Sequence, residues 1–227
     1  MEKYIGIIAA EDEEVNAILE LLSNVEQEKI YNLVFNFGTI NNQKYIIVKS
    51  GVGKVNAART TQILIDKFDI KYIINVGSAG GLDNNLNIGD IVIGNKLVQH
   101  DFDVTSFGRE KGYIPETGKE FESDKDLINK CKDIKVENSK IILGNIASGD
   151  IFLTDVKMKD KIKNNFNSIC VEMEGAAIAQ VCFLSKIPFL VIRSISDIPN
   201  GNNQIEFNEF LKIAAKNCSE IIKNMNT

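Results

Sequence analysis

The sequence carries a single histidine, His100, and four cysteines, Cys131, Cys170, Cys182 and Cys218, none in a C-x-x-C spacing. One histidine excludes a histidine-cluster metal site, and no nucleophile elbow or Cys/His pattern supports a catalytic triad. Scattered cysteines in apolar runs read as reduced, buried side chains. No apolar run approaches the roughly 20 residues of a membrane span. The amino terminus, MEKYIGIIAAEDEE, reaches acids after a brief apolar stretch and has neither a basic n-region nor a cleavage pattern. This argues against export and for a cytoplasmic protein. Basic clustering is missing too: 26 Lys and Arg are dispersed among 31 Asp and Glu, for a net charge of -5. That leaves no basic face for nucleic acid, so small-molecule or protein partners are expected. No Pro/Gly/Ser-rich linker divides the 227 residues, and 44% of the side chains are hydrophobic, enough for one full core. One α/β domain over 1–227 is expected.

What the chain does have is an alternation of short apolar runs with helical periodicity. Tyr4–Ala9, Leu33–Phe37, Lys44–Lys49, Tyr72–Val76, Ile91–Gly94, Ile141–Ala147, Ile169–Val171 and Pro188–Ile192 read as strands. Helices are expected over Glu13–Leu22, Val55–Phe68, Lys125–Lys132, Val156–Asn164, Gly175–Leu184 and Phe207–Met225, with a hairpin turn at Asn41-Asn42. This order predicts a mainly parallel or mixed sheet covered on both faces by helices.

Glu14, Ser78, Glu174 and Asp197 each follow a separate apolar run. If those runs are parallel strands of one open sheet, their carboxyl ends share the rim where such sheets bind ligands. Three carboxylates and a serine around one cleft suit general acid/base chemistry at a sugar carbon.

The surrounding motifs carry more than one reading. Ser50-Gly-Val-Gly-Lys-Val55 fails both nucleotide fingerprints, since it lacks the Ser or Thr after its Lys and the third Gly. A tight strand-to-helix turn is its plain alternative. Gly77-Ser-Ala-Gly-Gly81 lets backbone approach a ligand closely, with Ser78 free to bond a hydroxyl or a water. Val171-Glu-Met-Glu-Gly-Ala-Ala177 sets two acids at a helix start. Complementing the helix dipole accounts for one of them better than for two, and a carboxylate there can accept both hydroxyls of a ribose diol. In Val191-Ile-Arg-Ser-Ile-Ser-Asp197 the acid either pairs with Arg193 or is kept protonated by burial, above its ordinary value of about 3.9.

In order along the chain, Ile7-Ile-Ala-Ala10 with Glu14, Ser50-Gly-Val-Gly-Lys54, Gly77-Ser-Ala-Gly-Gly81, Val171-Glu-Met-Glu174 and Ser194-Ile-Ser-Asp197 resemble the 5′-methylthioadenosine/S-adenosylhomocysteine nucleosidases. The resemblance covers about Tyr4 to Lys216. It implies a nucleoside phosphorylase-like fold, a three-layer α/β sandwich with a mixed sheet, in a homodimer without metal or cofactor. It also implies that Glu14 activates a water with Ser78 and Arg193, and that Asp197, beside Ser196, protonates adenine N7. Glu174 would hold the ribose hydroxyls and Met173 the sugar, while Phe152 and Leu153 bracket adenine and offer it backbone hydrogen bonds. Val52, Phe107, Phe152 and Phe207 match positions around the ribose and the 5′-thioalkyl pocket, Gly80 matches another pocket position, and Val104, Phe107 and Pro115 match a segment lent to the neighbouring subunit. Two positions depart from many members: Glu11 stands where they carry Met, and Arg109 where they carry an aromatic.

Two rivals share these features. A purine nucleoside phosphorylase recruits arginines for phosphate, whereas this chain has only Arg59, Arg109 and Arg193. A non-catalytic adenosine-binding module has no need of a general acid, which disfavours it given Glu14, Glu174 and Asp197 together.

Overall fold

The computed structural model describes residues 3–200 and 203–225. The chain opens with β1 (Tyr4–Ala9) and α1 (Asp12–Leu19), then runs through β2 (Ser23–Ile30), β3 (Leu33–Ile40) and β4 (Gln43–Lys49) into α2 (Lys54–Lys67). The long β5 (Ile70–Gly81) precedes β6 (Ile91–Gln99), a 3-10 turn over Thr105–Phe107, β7 (Phe121–Glu122) and α3 (Lys125–Cys131). Then come β8 (Ile141–Ser148), α4 (Val156–Phe166), β9 (Ser168–Glu172), α5 (Gly175–Ser185), β10 (Phe189–Asp197) and α6 (Asn203–Asn224).

The sheet is mixed, and β5 is its junction. Its first half pairs in parallel with β1, its middle in parallel with β10, and its glycine-rich end antiparallel with β9. Because β10 pairs with β6, β6 with β8 and β8 with β9, these strands and β5 close into a ring. From β5 the strands β1, β4, β3 and β2 extend as an open flank.

Alternation along the strands builds an apolar layer on each face. Ile5, Ile7, Tyr72, Ile74 and Val76 face Val15 and Ile18 of α1, Leu127 of α3 and Ile221 and Ile222 of α6. Ile8, Ile73 and Val191 face the other way, toward Ala57 and Leu64 of α2 and Ala176, Ile178 and Cys182 of α5. Burying each of these larger aliphatic chains stabilises by about 1.5–3 kcal/mol. The outcome is the three-layer sandwich expected from the alternation. All four cysteines are buried and unpaired, also as expected.

Three differences from the sequence reading have physical causes. Strand β2, SNVEQEKI, has no apolar alternation and is almost wholly exposed, yet it pairs with β3 at the sheet's edge. Strand β5 runs past Val76 to Gly81, because pairing with β10 and β9 overrides the poor strand propensity of glycine. Helix α6 starts at Asn203, four residues before the expected Phe207, its first turn Asn203-Gln-Ile-Glu206 being too polar to read as the start of an apolar helical face.

Candidate active site

A cavity of about 310 Å³ opens where β1, β5, β9 and β10 converge, a volume at the lower end for small-molecule sites. Strands β1, β5 and β10 run parallel, as the shared-rim argument requires, but β9 meets β5 antiparallel. The cleft therefore lies at the closed ring, and Ser78 sits inside β5, not beyond it.

Glu14 projects from the first turn of α1 and is buried. Its Oε2 accepts the amides of Ala10 and Glu11 at 3.0 and 3.1 Å. Its Oε1 accepts the amide and the hydroxyl of Ser78 at 2.9 and 3.1 Å. With its hydrogen directed at Glu14, the Ser78 oxygen keeps lone pairs for an incoming water. Gly77 is what permits this approach: a Cβ there would run into the Arg193 guanidinium and lie 2.9 Å from Oε1 of Glu14.

Arg193 is fully buried on β10. Nη1 donates to the Ser78 carbonyl at 3.1 Å and Nη2 to Oδ1 of Asn75 at 2.6 Å. Nη2 also pairs with Glu172, and lies 3.4 Å from Glu174. Burial works against the charge, but the two carboxylates outweigh it and hold the guanidinium protonated.

The two acids at the start of α5 divide the work. Oε2 of Glu172 accepts the amides of Glu174 and Gly175 at 2.9 and 2.7 Å, and Oε1 accepts the Ser148 hydroxyl. The Ser148 oxygen takes the next amide, of Ala176, at 2.7 Å. Glu172 thus satisfies the helix's orphan donors, the role that dipole complementarity assigns to one acid. Glu174, the N-cap residue, is left to face the cavity. It accepts the Gly53 amide at 2.8 Å. Burial pushes its carboxyl up to about 7, against the pull of Arg193.

That contact also explains the glycine loop. Gly53 holds φ 98, and the amides of Gly53 and Lys54 at the start of α2 point at the carboxylates of Glu174 and Asp150. The donors that a phosphate would use at such a helix start are already engaged.

Asp197 ends β10 beside an irregularity: Ile195 pairs with Ala79 but Asp197 with Gly80, so Ser196 is an extra residue. A bulge re-aims side chains, and both Ser196 and Asp197 line the cavity although neighbours on a regular strand face opposite ways. Oδ1 accepts the Ser196 hydroxyl at 2.8 Å and Oδ2 the Asn203 amide at 2.6 Å. Burial pushes the Asp197 carboxyl up, against those two hydrogen bonds and with help from Glu206.

The apolar end of the cavity is formed by Val52, Phe152, Leu153, Met173 and Phe207, with Phe152 and Phe207 edge to face at 5.6 Å. Gly80 also lines it. Every pocket residue expected from this chain's own sequence is therefore brought together. Val104, Phe107 and Pro115 are not: they lie outside the cavity, Val104 just before the 3-10 turn, Phe107 on it and 83% exposed, and Pro115 after it. Glu11 lines the cavity, its carboxyl raised by burial and by the charge of Glu14. Arg109 does not line it and stacks on Tyr113 at 5.3 Å. Sequence reasoning missed Asn75, Glu172 and Asn203. A second acid two residues before Glu174 was the one available signal.

Residues 4–226 match the family model of the Phosphorylase superfamily, and the chain belongs to that superfamily. Within it, the chain belongs to the 5′-methylthioadenosine/S-adenosylhomocysteine nucleosidase family. It is 42% identical to the nucleosidase of that name from Staphylococcus haemolyticus over 223 residues, 97% of this chain and 98% of that protein. The crystal structure of the Neisseria meningitidis nucleosidase in complex with methylthio-immucillin-A superposes with a TM-score of 0.94 at 36% identity, over 98% of this chain and 97% of that one. A futalosine hydrolase from Helicobacter pylori superposes equally, with a TM-score of 0.94 at 34% identity and the same two coverages.

Proposed function

We propose that this protein hydrolyses the N-glycosidic bond of 5′-methylthioadenosine and S-adenosylhomocysteine, releasing adenine and the 5-substituted ribose. The observation that carries this reading is the meeting, in one cavity, of a carboxylate hydrogen-bonded to a serine with a second carboxyl raised by burial. Glycosidic cleavage builds positive charge on the sugar and negative charge on the purine. Glu14, with Ser78, orients a water and accepts its proton as oxygen bonds to C1′. Asp197 delivers its proton to N7 as the bond's electron pair passes to N9. Glu174 accepts the ribose hydroxyls, Met173 and Phe207 pack against the ribose and its 5′ side, and Phe152 and Leu153 bracket the base and offer it backbone hydrogen bonds. Val52 and neighbouring apolar groups receive the uncharged thioether. Arg193, bound to the Ser78 carbonyl and Glu174, fixes the groups that touch the substrate.

Water is favoured over phosphate as the nucleophile by the state of the arginines. Arg193 is committed to Glu172, Glu174 and Asn75, Arg59 bonds Asn32 on the surface, and Arg109 stacks on Tyr113. A carboxylate at Glu14 also repels a phosphate dianion. The superposition on a futalosine hydrolase supports testing other adenosine-ended nucleosides as well. A homodimer whose Val104, Phe107 and Pro115 complete the neighbour's pocket fits the exposed Phe107. Methionine salvage and removal of a methylation by-product, in the cytoplasm, are the roles this activity would serve.

The test is incubation with 5′-methylthioadenosine, with and without millimolar phosphate, followed by identification of the sugar. Adenine and 5-methylthioribose at a phosphate-independent rate are expected. A phosphate requirement with a 1-phosphate product would install the phosphorylase.

A further inference from the structure

Asn203 is buried without any exposed surface, and its amide nitrogen makes two contacts. Nδ2 donates to Oδ2 of Asp197 at 2.6 Å and to the Leu153 carbonyl at 3.0 Å. The Leu153 carbonyl can only accept, so the orientation of the carboxamide is fixed, with Nδ2 toward Leu153 and Asp197. The amide oxygen, Oδ1, is buried with no donor among the described residues. An acceptor buried without a partner costs stability and offsets part of what the two Nδ2 hydrogen bonds contribute. What the asparagine adds is the bridge between the two groups that the proposed reaction sets against the purine.

We infer that Asn203 is a positioning residue for the acid: one nitrogen sets Asp197 and the base-reading Leu153 backbone at a fixed spacing and ties both to the first turn of α6. This rests on the nucleosidase reading for the roles of Asp197 and Leu153. In a 6-aminopurine, N7 and the exocyclic amine share one edge, so the acid and the carbonyl must be spaced to match it. Each oxygen accepts a second hydrogen bond, so the bridge persists when the purine is bound. Asn203 itself lies behind the cavity wall and not on it. Phe207, one turn further along α6, does line the cavity and meets Phe152, so the same anchor seats an aromatic wall of the pocket.

The bridge also bears on the proton. The carboxamide offers Oδ2 a donor and never an acceptor, and the Ser196 hydroxyl hydrogen serves either Oδ1 of Asp197 at 2.8 Å or the Ala79 carbonyl at 3.4 Å. The transferable proton therefore belongs on Oδ1, with the hydroxyl turned to Ala79. Other charged groups near Asp197 are Glu206 of α6, which accepts the Ile198 amide, and Glu14, Glu174 and Arg193 around the cavity.

The experiment compares wild type, Asn203→Leu and Asn203→Ala as full chains. The Asp197 carboxyl is followed by carbon-13 NMR titration without ligand, with Asp197→Asn as the assignment control. Removing a donor to the carboxylate should move its titration midpoint up by at least about 0.5 pH unit. In parallel, kcat for adenine release should fall about tenfold with less change in KM, and the alkaline limb should move up. A folded variant with an unchanged Asp197 midpoint, or one that melts lower but keeps kcat and its alkaline limb, makes Asn203 a fastener of α6 only and overturns the inference. If leucine does not fold, alanine decides by the same readouts. Absence of adenine release by wild type would instead refute the nucleosidase reading, and the ligand-free titration would still decide whether Asn203 tunes Asp197.

Discussion

Ser78 donates twice to a single oxygen of Glu14, through its amide at 2.9 Å and its hydroxyl at 3.1 Å. With two further amides on the other oxygen, the carboxylate is held before any substrate arrives. Glu14→Gln should lower kcat by about 10²-fold or more, since an amide cannot take the water's proton. Ser78→Ala removes one donor of four and should cost about tenfold or less. Steady-state adenine release measures both, with a thermal melt to check folding. A glutamine variant of near-normal turnover removes Glu14 as the base.

Asp197→Asn should abolish most turnover while nucleoside affinity changes only a few-fold, because the amide keeps the shape and loses the proton. Calorimetric binding alongside single-turnover release separates the two quantities. Loss of binding equal to the loss of turnover would make Asp197 a binding residue.

The pH profile should be bell-shaped, with the sign set by which form of each acid works. Glu174 must be ionised to accept ribose hydroxyls, and burial raises it to about 7, so kcat/KM falls as pH drops through that value. Asp197 must be protonated, and burial raises it, so the rate falls again as pH rises past its midpoint. Glu174→Gln should remove the acid limb and raise KM. An acid limb unmoved by that substitution would assign it to another group.

Glu172 should matter more for stability than for chemistry. It is 6% exposed, pairs with Arg193 and satisfies the start of α5. Breaking one partner of such a buried pair costs about 3–5 kcal/mol. A urea titration of Glu172→Gln should show a loss of that order, with reduced kcat because Arg193 and Glu174 lose their anchor. A variant as stable as wild type would mean that Ser148 and Asn75 suffice.

The sequence made the site's membership legible because five short segments each carry small residues or acids next to apolar runs. It could not reveal which of Glu172 and Glu174 serves the helix, since that depends on the turn that aims one carboxylate back at the α5 amides. Nor could it place Ser78 within a strand, because Gly77–Gly81 becomes a strand only by pairing with β10 and β9. Asn203 was hidden for a similar reason: its partners, Leu153 and Asp197, are distant from each other in sequence and meet only in the fold.

Phe107, 83% exposed, should act in the neighbouring subunit's pocket. Phe107→Ala is expected to raise KM for methylthioadenosine by about tenfold, the scale for removing a large apolar contact. Mixing it with Glu14→Gln should restore activity, because a mixed dimer has one pocket with both an intact base and an intact lent ring. No recovery on mixing, or sedimentation of a fully active monomer, would confine the site to one chain.

Glu11 tests how the 5′ side of the pocket selects its substrate. It caps α1 and lines the cavity, and its carboxyl is raised by burial and by Glu14 in spite of Lys49. A carboxylate facing an uncharged thioether is poorly compensated for the water it loses, whereas a hydroxyl or ammonium group on the 5′ side can bond it. Glu11→Met should therefore raise kcat/KM for methylthioadenosine by several-fold, on the order of 1 kcal/mol, and lower it for adenosine and S-adenosylhomocysteine. Competition assays with the three nucleosides measure the ratio directly. If the ratio does not move, the Glu11 side chain turns to solvent in the complex and the 5′ preference is set by the apolar residues alone.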